Sequence, residues 1–322
     1  MSTPCRRDGF AAGPRRTTRR GFLKGAAAVA GSLLASSLVT GPSTAMARDL
    51  LVRTERLGML MDLTSCIGCR RCEVACNGAN RLPAPAVPFD DPSVFEKKRR
   101  PGVNAFTVVN RYEDRKRGMP VFRKVQCNHC EEPACVSACL VGAMRKTPEG
   151  PVVYNADLCI GCRYCMVSCP FYIPTYEYSS VLEPRVRKCT MCYGRISQGL
   201  RPACAEACPV EAITFGNRSD LLKLARERMR LKPGRYVDHI YGESEAGGTS
   251  WLYLSGVPFE ELDFPTDLGT TPLPEFTREF LSFVPLVLVA WPTLLGGFYL
   301  FSNHREQGNS TGRDEPEKEE DR

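Results

Sequence analysis

The sequence predicts an α+β chain of two nested cysteine-rich modules, followed by a helix long enough to cross a membrane. Three observations predict it. Sixteen of the 17 cysteines lie between Cys66 and Cys208, in four groups of four. The groups repeat in the order A, B, A′, B′. Near the C-terminus, 22 residues from Phe280 to Phe301 carry no charge.

Residues 1–47 read as an export signal. They hold seven of the 43 Lys and Arg residues and one of the 36 Asp and Glu residues. The rest carries 36 basic against 35 acidic residues, so six of the formal +7 belong to the leader. Charge therefore gives no support to a nucleic-acid partner. Thr18-Arg19-Arg20-Gly21-Phe22-Leu23-Lys24 resembles the twin-arginine export motif. A weakly apolar stretch, Gly25 to Val39, and the cleavage pattern Ala45-Met46-Ala47 follow it. That route carries proteins already folded and loaded with cofactor. Cys5 lies in the discarded peptide.

The internal repeat comes next. Asp62-Leu63-Thr64-Ser65-Cys66-Ile67-Gly68-Cys69-Arg70 matches Ala156-Asp157-Leu158-Cys159-Ile160-Gly161-Cys162-Arg163. Pro133-Ala134-Cys135 with Cys139 matches Pro202-Ala203-Cys204 with Cys208. Groups one (Cys66, Cys69, Cys72, Cys76) and three (Cys159, Cys162, Cys165, Cys169) have the C-x2-C-x2-C-x3-C spacing of bacterial ferredoxins. A tight loop turns three sulfurs around one iron–sulfur cube, and the fourth cysteine points out of that loop. Zinc has no use for a third cysteine at x2 and a fourth at x3. Disulfides do not form from thiols loaded with iron before export.

The ferredoxin resemblance implies two nested 2×[4Fe–4S] modules, each exchanging its fourth cysteines. Groups two and three, only 19 residues apart, form the inner module over about 120–175. Groups one and four close the outer one, within a cluster domain of 48–233. Cluster 1 then takes Cys66, Cys69, Cys72 and Cys208. Cluster 2 takes Cys127, Cys130, Cys135 and Cys169. Cluster 3 takes Cys139, Cys159, Cys162 and Cys165. Cluster 4 takes Cys76, Cys189, Cys192 and Cys204.

Between the groups the signals are local. Ala105-Phe106-Thr107-Val108-Val109 and Pro151-Val152-Val153-Tyr154-Asn155 read as short strands. The proline-rich insert 77–126, with Lys97-Lys98-Arg99-Arg100, reads as a solvated loop or a docking surface. Ser219 reads as the N-cap of an amphipathic helix through Arg230, with Leu221, Leu222, Leu224, Ala225 and Met229 on its apolar face. Residues 234–275 hold one strand, Trp251 to Leu254, and read as an extension wrapping the outside of the cluster domain. The uncharged run from Phe280 spans roughly 33 Å as a helix, enough for a bilayer. It makes 276–303 a transmembrane anchor, with Pro285 and Pro292 predicted to kink it and Gly296-Gly297 inviting a neighbouring helix. The tail 304–322 is acidic and predicted disordered.

Cubes held by four thiolates have no open coordination site and pass single electrons. The sequence shows no dinucleotide fingerprint and no nucleophile motif, so the chain is not an enzyme by itself. His129, inside group two, reads as a tuning group near a cluster. The four groups, with eleven residues between Cys192 and Cys204, resemble the four-cluster subunits of formate dehydrogenase and dimethyl-sulfoxide reductase type. The chain is most similar in pattern to the membrane-anchored iron–sulfur subunit of hydrogenase-2-type nickel–iron hydrogenases. Leu57-Gly58-Met59-Leu60, Cys162-Arg163-Tyr164-Cys165, Tyr241-Gly242-Glu243 and Gly256-Val257-Pro258 carry that likeness, with the export signal and the anchor. Asn77 and Leu140 depart from the proline that often follows the fourth cysteine.

The resemblance implies electron flow from hydrogen oxidation, through the hydrogenase small subunit beside its large subunit, to an integral membrane quinone-reactive subunit. It places the protein on the periplasmic side of the bacterial inner membrane. The alternative is the equivalent subunit of a formate dehydrogenase or another molybdenum oxidoreductase. Many of those travel without a signal of their own, which favours the first reading.

Overall fold

A computed structural model describes residues 56–114, 118–180 and 184–310; the export signal and residues 311–322 of the tail lie outside them. The outer half begins with strand β1 (Leu57–Asp62) and helix α1 (Arg71–Ala79), joined by the first cysteine loop. An antiparallel hairpin follows, β2 (Val108–Glu113) and β3 (Pro120–Val125). The inner half holds helix α2 (Ala134–Ser137), the hairpin β4 (Met144–Lys146) and β5 (Val152–Tyr154), then helix α3 (Tyr164–Val167). The short pair β6 (Thr175–Tyr176) and β7 (Val186–Arg187) closes it. The outer half resumes with α4 (Tyr193–Ile196), α5 (Ala203–Glu206), β8 (Ile213–Asn217) and α6 (Arg218–Leu231). Strand β9 (Trp251–Leu254) and the long helix α7 (Glu275–Ser310) end the described chain.

β1 lies between β8, antiparallel, and β9, parallel. A central strand covered on both faces needs apolar residues in both registers, as Leu57-Gly58-Met59-Leu60 supplies. Alternation then sorts the faces. Met59, Met61, Ile213, Trp251 and Tyr253 join the core that also takes in Cys204. Leu60, Leu252 and Leu254 turn to α6 and pack with Leu221 and Ala225. Full burial of one such leucine contributes about 1.5–3 kcal/mol. The helix starts at Arg218 behind Asn217, not behind Ser219. β8 ends at Asn217 and runs straight into it, so the strand fixes where the helix begins.

Two expectations are corrected here. Trp251 to Leu254 is a strand, but it belongs to the central sheet rather than to an outer wrap, and no residue of it is more than 1% exposed. Its backbone also reaches the second cysteine group, because the Trp251 amide donates to the Asn128 carbonyl at 3.2 Å. The insert 77–126 is likewise no solvated loop, since it contributes the β2–β3 hairpin. Its basic run is sewn into the domain. The Arg99 guanidinium donates to both carboxylate oxygens of Glu73, at 2.6 and 3.1 Å. Arg70 reaches the same carboxylate at 3.2 Å, and the Val109 amide donates to it at 2.7 Å. Arg100 donates to the Tyr172 carbonyl.

Glu73 is only 4% exposed and tethers α1, the first cysteine loop and the hairpin through one carboxylate. Glu73→Gln is expected to cost about 3–5 kcal/mol, because it leaves buried guanidinium charge uncompensated. An anaerobic urea titration followed by far-UV circular dichroism reads this, and a loss below about 1 kcal/mol would show that the network does not hold the domain together.

α7 passes without a break through Pro285 and Pro292. Within its described stretch Glu275–Asn303, an 18-residue apolar window has mean hydropathy 1.8 and buries nothing against the rest of the chain. The proline rings remove two donors from the helix ladder. One turn below Thr293, its hydroxyl donates to the Val289 carbonyl at 2.7 Å, shoring up the turn beside Pro292.

Candidate metal centres

Each cysteine group is a loop feeding a short helix. In the first, Gly68 (φ +71°) and Arg70 (φ +57°) turn the chain so that α1 starts behind the Cys66–Cys69 loop. The second repeat uses Gly161 (φ +72°) and Arg163 (φ +60°) ahead of α3. A Cβ on Gly68 would stand 2.4 Å from the Phe122 ring, so only glycine fits that turn. Four pairs then lie one helical turn apart: Cys72 and Cys76, Cys135 and Cys139, Cys165 and Cys169, Cys204 and Cys208. The first cysteine of each pair lies on its helix; the second lies inside α1 for Cys76 and just past the end of α2, α3 and α5 for Cys139, Cys169 and Cys208. Among the helices, α1 packs on α5 and α2 on α3.

Cys66, Cys69, Cys72 and Cys208 line one small cavity with Met61, Val109, Lys124 and Ile213. Cys76, Cys189, Cys192 and Cys204 line a second with Asn80, Thr107, Lys124 and Trp251. Around Cys130 the thiols acting on it are those of Cys169, Cys127 and Cys135. Around Cys165 they are those of Cys159, Cys139 and Cys162. The sets also lie within electrostatic reach of one another in series. Cys72 interacts with Cys204, Cys189 with Cys127, and Cys135 with Cys165. Cys76, Cys127, Cys169 and Cys189 share one buried apolar cluster. The sets thus run in the spatial order Cys66, Cys76, Cys127, Cys139, with exposed thiols at the two ends, Cys69 and Cys162.

The sixteen described thiols are all free. Burial pushes the Cys66 thiol up to about 11, Cys76 and Cys135 up to about 12, and Cys165 up to about 11. Loading such thiols with metal therefore releases protons. Backbone amides are already placed on several sulfurs: Ala143 donates to Cys139 at 3.2 Å, and Met191 to Cys189 at 3.3 Å. Among the described residues no three His, Cys, Asp or Glu side chains converge as one metal ion requires. Zinc draws its sulfurs to about 2.3 Å from a single point, whereas a four-iron cube holds them apart around a cavity. Two buried donors without a partner add to the fit, Trp251 Nε1 beside the Cys76 set and His129 Nε2 beside the Cys127 set.

His129 is fully buried at φ +50°. Its Nδ1 accepts from the Val152 amide at 2.8 Å, which leaves the proton on Nε2. Burial, then the ammoniums of Lys188, Lys146 and Lys124, hold its pKa well below the usual range. A neutral imidazole with one buried N–H is a hydrogen-bond donor to a sulfur. His239, by contrast, pairs with Glu245 at 2.5 Å near the surface. Asn77 and Leu140 leave their loops intact: the Asn77 amide donates to the Pro83 carbonyl at 2.8 Å, and Leu140 stands exposed.

Sequence reasoning missed three lysines. Lys146 donates to the His129 and Cys130 carbonyls at 3.0 and 2.8 Å, and Lys188 to the Cys189 carbonyl at 3.1 Å. Lys124 lies between the two outer cavities. Burial pushes its ammonium down, but the Cys204, Cys72, Cys189 and Cys76 thiols outweigh this and hold it up. A lysine on a short strand gives no sign in the sequence of which way it faces.

Residues 65–143 and 120–218 each match a 4Fe–4S dicluster domain. The chain is similar to the hydrogenase-2 operon protein HybA of Escherichia coli and of Shigella flexneri, 35% identical over 329 residues, covering 90% of this chain and 98% of the relative. It is also 53% identical to a protein of Nitratidesulfovibrio vulgaris, over 78% of this chain and 68% of that protein. Against the nitrate-inducible formate dehydrogenase iron–sulfur subunit of Escherichia coli the identity is 34%, over 68% of this chain and 73% of the subunit.

Proposed function

The chain belongs to the family of iron–sulfur electron-transfer subunits that includes HybA and the formate dehydrogenase iron–sulfur subunits, and on that premise we propose that it carries electrons from a periplasmic nickel–iron hydrogenase to a quinone-reactive membrane subunit. One observation carries the choice of hydrogenase: the likeness to HybA extends over 90% of this chain, against 68% for the formate dehydrogenase subunit. The twin-arginine segment supports export to the periplasmic face, and α7 supports an anchor there.

The cofactors in this reading are four [4Fe–4S] clusters, held by the Cys66, Cys76, Cys127 and Cys139 sets, each with the fourth ligand exchanged within its module. A thiolate-held cube supplies one-electron transfer without making or breaking a bond to the protein. The protein's share is to position and insulate. Seven of the sixteen thiols are buried, and apolar side chains such as Met61, Ile213, Met144 and Val152 keep water from the sets. The helices carrying paired cysteines keep neighbouring sets one turn apart. Exposed apolar residues flank both terminal sets, Ile67 and Val210 beside Cys69, and Leu140, Ile160 and Val167 near Cys162. Apolar rims of that kind support docking of a partner at each end.

Anaerobic purification from membranes tests the reading. About sixteen iron and as many acid-labile sulfides per chain are expected from four complete ligand sets, together with retention of a nickel–iron hydrogenase small subunit. Zinc in place of iron would sink the cluster assignment. A molybdenum enzyme as the retained partner would favour the formate dehydrogenase alternative.

A further inference from the structure

We propose that Lys124 sets the reduction potentials of the two outer clusters together, acting as a shared buried cation between them. The inference rests on the ligand sets proposed above for Cys66 and Cys76. Lys124 sits on β3 opposite Val109 and is 1% exposed. Its Nζ donates to Thr107 Oγ1 at 2.7 Å and Gln126 Oε1 at 3.1 Å, and lies 4.7 Å from the centre of the Trp251 ring. The same side chain lines both outer cavities, so it is common to two complete cysteine sets. Its two hydrogen-bond acceptors are neutral, and none of the ion pairs between described residues includes it.

A buried ammonium whose hydrogen-bond acceptors are all neutral is costly. Thiolate-bound clusters on both sides supply the missing negative charge. Each one-electron reduction adds one negative charge to a cluster, with no bond formed or broken and no proton moved in the protein. A fixed cation inside a low-dielectric core favours that added charge. Thr107, Gln126 and the Trp251 face hold the ammonium in place, so it stays between the two sets in either redox state. Lys124 is therefore a positioning residue of the electron path, and both outer centres feel the same charge.

The test is a redox titration of the purified, fully loaded protein, with the four couples followed by electron paramagnetic resonance. Lys124→Met keeps length and burial but removes the charge. It is expected to lower two of the four potentials, with a roughly tenfold fall in the reduced-to-oxidised ratio at a fixed potential, which is about 59 mV for a one-electron couple. The couple of the Cys139 set is expected to stay where it is, and Lys124→Arg to restore the two that moved. Unchanged potentials, or an equal shift of all four, would overturn the proposal. If Lys124→Met loads incompletely, the loss must be confined to about half the iron and be rescued by Lys124→Arg. Loss from all four centres alike, or no rescue, also overturns it. Wild-type iron content separates the two levels: without four clusters in the wild type the ligand reading fails, and with them only the role of Lys124 is at stake.

Discussion

Replacing Cys169 by serine is expected to extinguish the cluster held by Cys127, Cys130 and Cys135, while the cluster beside Cys169 in sequence survives. The group-three loop places Cys159, Cys162 and Cys165 around one centre, with Cys165 on α3. Cys169 follows one turn later, where the chain has moved on to the next set. There it is buried among Cys127, Cys189 and Cys76, and the Tyr172 amide closes the turn behind it by donating to the Cys169 carbonyl at 3.0 Å. The Cys130 thiol interacts with Cys169 before any other cysteine. Serine offers a shorter, harder oxygen ligand inside an apolar cluster, so about a quarter of the iron should be lost. Iron analysis and electron paramagnetic resonance check this. Disappearance of the Cys159, Cys162 and Cys165 centre instead would refute the exchange.

That prediction was within reach of the sequence because cluster ligation imposes short, fixed spacings that survive any tertiary context. Gly68 and Gly161 advertise the same loop twice, and the i, i+4 cysteines advertise the helices. What was not legible depends on long-range packing. Trp251 to Leu254 reads as a strand in isolation, but only β1, nearly 200 residues earlier, makes it the inner edge of the main sheet. Lys97-Lys98-Arg99-Arg100 reads as solvated because nothing nearby pairs with it. Its partner Glu73 lies 26 residues upstream, between two cysteines whose own signal masks it. Asn217 displaced Ser219 as the helix start because strand pairing to Leu57 outranks capping preference. Lys124 was hidden for the same kind of reason. Burial of a charge is decided by what folds around it, here thiols from two distant groups.

Deleting residues 276–322 is expected to release the cluster domain from the membrane with its iron intact. No cysteine lies beyond Cys208, and the described span Glu275–Asn303 buries none of its apolar window against the domain. Removing it therefore takes nothing from the core, whereas a spanning helix of that length anchors essentially irreversibly. If the twin-arginine leader exports the chain, the truncated domain should appear in the periplasmic fraction, still carrying about sixteen iron. Electron delivery to quinone should fall by at least about tenfold, because the domain must then find its partner by diffusion rather than by tethering. Reduction by an artificial donor should persist at the wild-type rate, since both terminal sets remain. The helix also bears Pro285, Pro292 and Gly296-Gly297, features that favour a neighbouring helix over bare lipid. Substituting an unrelated single-span anchor should therefore restore membrane attachment and only part of the quinone-linked rate. Membranes in which the truncated chain stays bound and turns over at the wild-type rate would show that α7 neither anchors the domain nor guides it to its acceptor.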